Sequence, residues 1–205
     1  MIANKSLIIK YKKMKNILIV LILMITSLSC KAQFIIPLEE AINHIDSENG
    51  LMGDKDYVYV KDINNLLNKY VGTWKGIYNS KNYEFRVIKI TEDDGELKED
   101  LLLVRYKITD SNGTIIENTI NLPNDDIYVI KGSYLNKYKT TYVLYYQGRD
   151  SNCGQSGDLF IEVFGTNDTQ MQLFLELERD LIDGYDCPNG TTQILPTESI
   201  QLIKQ

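Results

Sequence analysis

"YVGTWKGIYN", Tyr70 to Asn79, holds the only tryptophan of a 205-residue chain, set between a Gly-Thr and a Lys-Gly pair. Before it the apolar spacing is helical. After it the period is two, so the change of period falls at Gly72. On the N-terminal side, Asp62 stands where an N-cap belongs, and Ile63, Leu66, Leu67 and Tyr70 follow at i, i+3, i+4 and i+7. That spacing predicts a short amphipathic helix over 63–70. A second helical pattern, Leu38, Ala41, Ile42 and Ile45 behind Pro37, lies further upstream.

On the C-terminal side, "TWKGIYN" and "NYEFRVIKI" read as a hairpin turning at Asn79–Lys81. "LLLVRYKIT" and "TIIENTINL" flank the turn signal "DSNG"; "DIYVIKGSY" and "TTYVLYYQG" follow, then "GDLFIEVFG" and "MQLFLELER" around "TNDT", and "SIQLIKQ" closes the chain. Eight or nine strands at near-regular spacing predict an all-β, antiparallel, up-and-down barrel with a short N-terminal helix. No segment is long and helical enough for a βαβ crossover, which argues against parallel pairing.

A Gly-x-Trp opening the first strand after a short helix resembles the start of calycin barrels, the lipocalin-like folds. The resemblance implies that Gly72 lets the chain turn sharply and that Trp74 packs across one end of the barrel. The large residues on the period-two faces, Tyr83, Phe85, Leu102, Val104, Tyr106, Ile116, Tyr142, Leu144, Tyr146, Met171, Leu173, Leu175 and Leu177, together with Trp74, are enough to fill a small barrel. A filled interior with no large enclosed pocket is therefore expected.

The first 33 residues read as an export signal rather than as fold. Lys10, Lys12, Lys13 and Lys15 precede the apolar run Ile17 to Ile25, which is nine residues long against the ~20 a spanning helix needs. Met14 has the look of a natural start ("MKNILIV"), with Met1 the alternative. Two processing readings stand side by side. Cys30 after "SLS" is a lipobox cysteine, acylated and left as the first mature residue, although Ser27 occupies the position where leucine is usual. Otherwise, Cys30 and Ala32 are the small residues read by a signal peptidase that cuts before Gln33. The division expected is thus a signal over 1–33, an N-terminal segment over 34–69 and a single barrel over 70–205.

Charge narrows the partners. The chain has 22 Lys and Arg against 28 Asp and Glu, and loss of residues 1–29 removes five lysines and no acids, for a net charge of −11. No basic stripe remains, which disfavours nucleic acid. Membrane contact is then left to a lipid at Cys30. With Cys30 acylated or removed, Cys153 in "NCGQSG" and Cys187 in "DCPNG" form an even pair in an exported chain and read as one disulfide.

Catalytic signals are sparse. His44 is the only histidine, and no CxxC spacing occurs, so zinc and Ser-His-Asp chemistry both lack residues. The acidic runs "TEDDGELKED" and "ELERDLIDGYD" read as solvated loops and strand faces rather than as a carboxylate pair. The sequence assigns no catalytic residue, cofactor or metal ligand. "SCKAQ", "YVKDINNLLNKYVGTWKG", "YEFRVIKI", "ENTINLP", "VIKGSY", "CGQSG" and "ILPTESIQLIKQ" together resemble an uncharacterised family of flavobacterial exported proteins, a domain of unknown function. The resemblance implies an exported or lipid-anchored β-domain and transfers no functional residue. The function expected is a non-catalytic envelope module whose partner is a protein, a glycan or a small ligand. A carboxylate hydrolase, a lipocalin-type carrier of small apolar ligands and a structural envelope lipoprotein are the alternatives.

Overall fold

The computed structural model describes residues 34–45, 50–178 and 191–205, with Lys15, Ser47 and Cys187. The chain falls into two compact units, Met1–Gln33 and Phe34–Gln205, and the second carries the fold. Its strands are β1 (Phe34–Pro37), β2 (Val58–Lys61), β3 (Gly72–Tyr78), β4 (Lys81–Asp93), β5 (Leu97–Thr109), β6 (Ile115–Asn118), β7 (Ile130–Leu135), β8 (Thr141–Gln147), β9 (Ser156–Phe164), β10 (Gln170–Leu177) and β11 (Ile200–Lys204). Eight of them, in the order β5-β4-β3-β11-β10-β9-β8-β7, close into an antiparallel barrel where β7 returns to β5. This is the all-β up-and-down barrel that the period-two pattern predicts.

The hairpins follow local turn chemistry. Tyr78 pairs with Lys81, and Asn79 and Ser80 both take left-handed φ, 47° and 60°, as a type I′ turn requires. Alternation sorts the faces. Tyr83, Phe85, Leu102, Val104, Tyr106, Tyr142, Leu144, Tyr146, Met171, Leu173 and Leu175 are all buried, and Leu177 packs against them half-buried. Ile116 departs from expectation and is exposed, because β6 pairs only with the end of β5 and lies off the barrel path.

β4 and β5 are each 13 residues long. The acidic run after Ile90 is thus only partly loop: Thr91, Glu92 and Asp93 pair with Asp100, Glu99 and Lys98. The hairpin tip is set by Asp94, whose carboxylate accepts from the backbone N–H groups of Glu96 and Leu97.

The N-terminal segment differs most from expectation. Parallel pairing does occur: β1 pairs with β2, and β2 with the start of β5, both in parallel. Among the described residues, the crossover from β1 to β2 uses a 3-10 turn at Leu38–Glu40 and a single helical turn at Ile42–Ile45. No helix forms over 63–70. A 3-10 turn at Asn68–Tyr70 is all that remains of it, because Asn65 takes a left-handed φ of 55° and interrupts the run. Asp62 does not cap a first turn. Its carboxylate accepts from the N–H groups of Leu66 and Leu67, at 2.7 and 3.1 Å, and holds a wider loop. Leu67 and Tyr70 are fully buried all the same, so the apolar spacing served burial without a helix.

Candidate functional site

One end of the barrel is built around Trp74. Its indole N–H donates to the Tyr70 carbonyl at 2.7 Å, and the Tyr70 hydroxyl donates to the Thr140 carbonyl at 2.8 Å. The loop from Asp62 to Val71 is thereby drawn over the strand ends. Lys204, from the last strand, sits 5.0 Å from the centre of the indole and donates to the Lys69 carbonyl at 3.1 Å. Gly72, at φ 139°, leaves the room for it, since a Cβ there would stand 3.0 Å from Lys204 Cε. The sequence reading missed Lys204, although it shares the inward parity of Ile200 and Leu202.

The interior is occupied by rings. Tyr83, Phe85, Tyr106 and Tyr146 form a chain with centroid spacings of 6.2 to 6.3 Å, and Tyr142 contacts Tyr70 at 6.0 Å. Towards the other end, Leu195 is buried in the same cluster and the Tyr83 hydroxyl donates to the Ile194 carbonyl. Burial raises the phenols of Tyr106 and Tyr142 and pushes Tyr146 up to about 12. None of these hydroxyls ionises near neutral pH, so none can act there as a proton-accepting phenolate.

Cys153 and Cys187 are joined, with Cα atoms 5.6 Å apart. The bond ties the β8–β9 connection to the β10–β11 connection. Cys30 and Gln33 lie outside the described residues. His44 lies in the single helical turn between β1 and β2. Among the described residues, no group of three His, Cys, Asp or Glu is placed to hold a metal ion.

The feature that resembles a recognition surface is on the outside, across β7 to β10. Tyr134 stands opposite Val143, Val143 opposite Phe160, and Phe160 opposite Phe174; Val143 is buried, and the three rings around it are half-buried. Phe160 and Phe174 stack at 4.8 Å with their planes 6° apart. Phe174 is the residue that breaks the polar outer register of β10, and this stack is the reason. Beside the row lies a depression of ≈ 350 Å³ lined by Tyr145, Gly157, Asp158, Glu176, Leu177 and Glu178. Burial, then the charges of Glu176 and Glu178, raise the Asp158 carboxyl above its ordinary value. On the other side of the row stands Glu162, opposite Gln172. Strands β8, β9 and β10 contain no lysine or arginine. By contrast, the outer face of β3 and β4 carries both signs: Glu84 bonds to both Lys75 and Arg86.

No curated protein and no solved structure matches the chain. The sequence profile described as "Family of unknown function (DUF6705)" matches residues 14–182, from Met14 through the apolar run Ile17 to Ile25, the Gly-x-Trp strand and β10. A match over most of the chain, on a barrel closed around Trp74, places this protein in that family of unknown function.

Proposed function

We propose that the protein is an exported, non-catalytic binding module of the cell envelope, held to a membrane by acylated Cys30, and that it recognises a macromolecular partner with the outer face of β7 to β10. The observation that carries this reading is the inversion of a carrier's usual layout. The interior is filled by buried rings, whereas a stacked aromatic row with carboxylates on both sides faces outward. A small-ligand carrier keeps its apolar cavity inside. The Cys153–Cys187 bond is compatible with an oxidising compartment, and the family match includes the leader. Among the described residues no helix is long and apolar enough to cross a membrane.

The test is a photo-crosslinking residue introduced at Phe174 in cells, with Ile77 on the opposite outer face as control. A discrete adduct from position 174 alone is the expected result. Equal adducts at both positions, or saturable binding of an apolar dye displaced by fatty acids, overturn the reading in favour of a carrier.

A further inference from the structure

We propose that the outer side of the β1–β2 extension lies against the lipid surface, so that the module is docked on the bilayer rather than tethered loosely above it; the inference rests on acylation of Cys30. The first argument is reach. Phe34, where β1 begins, lies four positions after Cys30. A chain extends at most ~3.3–3.6 Å per residue, so Phe34 is held within about 14 Å of the acylated cysteine. The polar zone of one leaflet is itself roughly 5–7 Å deep, which puts β1 beside the headgroups by covalent constraint.

The second argument is what β1 and its neighbours present there. β1 is the outermost strand, with β2 its one strand partner among the described residues. Ile35 is 42% exposed on the outer face of this open sheet edge, whereas Phe34 shares the inward parity of the buried Ile36 and belongs to the opposite face. Ile35, Tyr59 and Lys98 stand in register across β1, β2 and β5. The ammonium groups of Lys61 and Lys98, on the same face, flank the Tyr59 ring at 5.6 and 5.1 Å. An aromatic ring at headgroup depth, beside lysines that lay their stems on apolar surface and keep their charge wet, is the arrangement an interface selects. Asp93 pairs with Lys98 and Asp54 with Lys55, so local charge is near balance and apolar contact, not anionic lipid, holds the surface.

The experiment uses mature protein purified from membranes and returned to zwitterionic vesicles containing brominated lipid. A single added cysteine, Ile35→Cys or, as control, Ile77→Cys on β3, opposite Asn82 at the start of β4, carries a polarity-sensitive fluorophore. Intact mass is read first. An N-terminus without an acyl chain overturns the anchor and this inference together. With the acyl chain present, quenching at position 35 several-fold stronger than at position 77 is expected. Acylated protein with equal quenching at both positions overturns the docked face alone and leaves the anchor standing. Self-quenching at position 35 that rises with protein density, without bromolipid quenching, likewise overturns it and assigns the β1 edge to a second copy of the chain.

Discussion

At the scale of single residues, Trp74 is the keystone because it combines complete burial with a bond that fastens the loop before β3. Trp74→Ala is expected to cost ~3–5 kcal/mol through the cavity it leaves, more than Phe160→Ala on the half-exposed outer face, and urea melts of the two variants check the order. Asp100 governs acid sensitivity. Burial pushes its carboxyl up, but hydrogen bonds from the Thr91 hydroxyl, the Asp62 N–H and the Tyr59 hydroxyl, with the Lys89 charge, outweigh it and hold the carboxyl below its ordinary value. A carboxylate lowered in the folded state contributes stability that is present above the unfolded value of about 3.9 and lost as pH falls through the lower folded value. Urea midpoints measured from pH 6 down to pH 2 should fall in that window for wild type and less steeply for Asp100→Asn, which starts lower. Asp158 has the opposite sign. Its carboxyl is raised, so ionisation at neutral pH works against the fold, and Asp158→Asn should stabilise by a few tenths of a kcal/mol at pH 7 and lose that gain below pH 4.

At the scale of elements, the legible parts were those set by neighbours in sequence. The β3–β4 and β9–β10 hairpins and the inward residues of β4, β5, β8 and β10 follow from alternation and from Asn-, Asp- and Gly-rich turns, which need no distant partner. The β3–β4 turn supports a quantitative check: Ser80 holds a left-handed φ of 60° at the second turn position, where glycine has no steric cost. Ser80→Gly is expected to raise stability by ~0.5–1 kcal/mol, read as a shift in urea midpoint. The parts not legible depend on long-range geometry. β1 and β2 are four residues each, and their parallel pairing leaves no local mark in the sequence. Loop 62–70 carried a genuine helical period, but Asp62 and the buried Leu67 and Tyr70 prefer a wrapped turn. β6 is shorter than its apolar run because Thr119 turns inward and both donates to and accepts from the Tyr106 backbone through its hydroxyl. The outer aromatic row was half visible, as the one residue out of pattern in β10. Its partners on β7 to β9 appear only once the strands are laid side by side.

At the scale of the whole molecule, the barrel is held by closure and by one covalent staple. Cys153 and Cys187 are 34 residues apart in sequence. A loop of that size is worth about 4 kcal/mol in the chain-entropy account. The paired Cys153→Ser, Cys187→Ser variant should therefore unfold at lower urea by a comparable free energy, with wild type under reductant matching it.

The pairing of β11 with β3, Ile203 opposite Lys75 and Lys204 opposite Trp74, has a consequence in time. The strand that seals the barrel is the last of its strands in chain order, and the strand it seals against is the first. Until β11 is in place, the long β4–β5 hairpin can form, but the ring cannot. Such distant closure predicts slow folding, on the millisecond-to-second scale of contact-rich β-proteins. It also makes β11 the clasp of the barrel: a chain cut after Ser199 would hold nearly every core residue and still have no means of shutting.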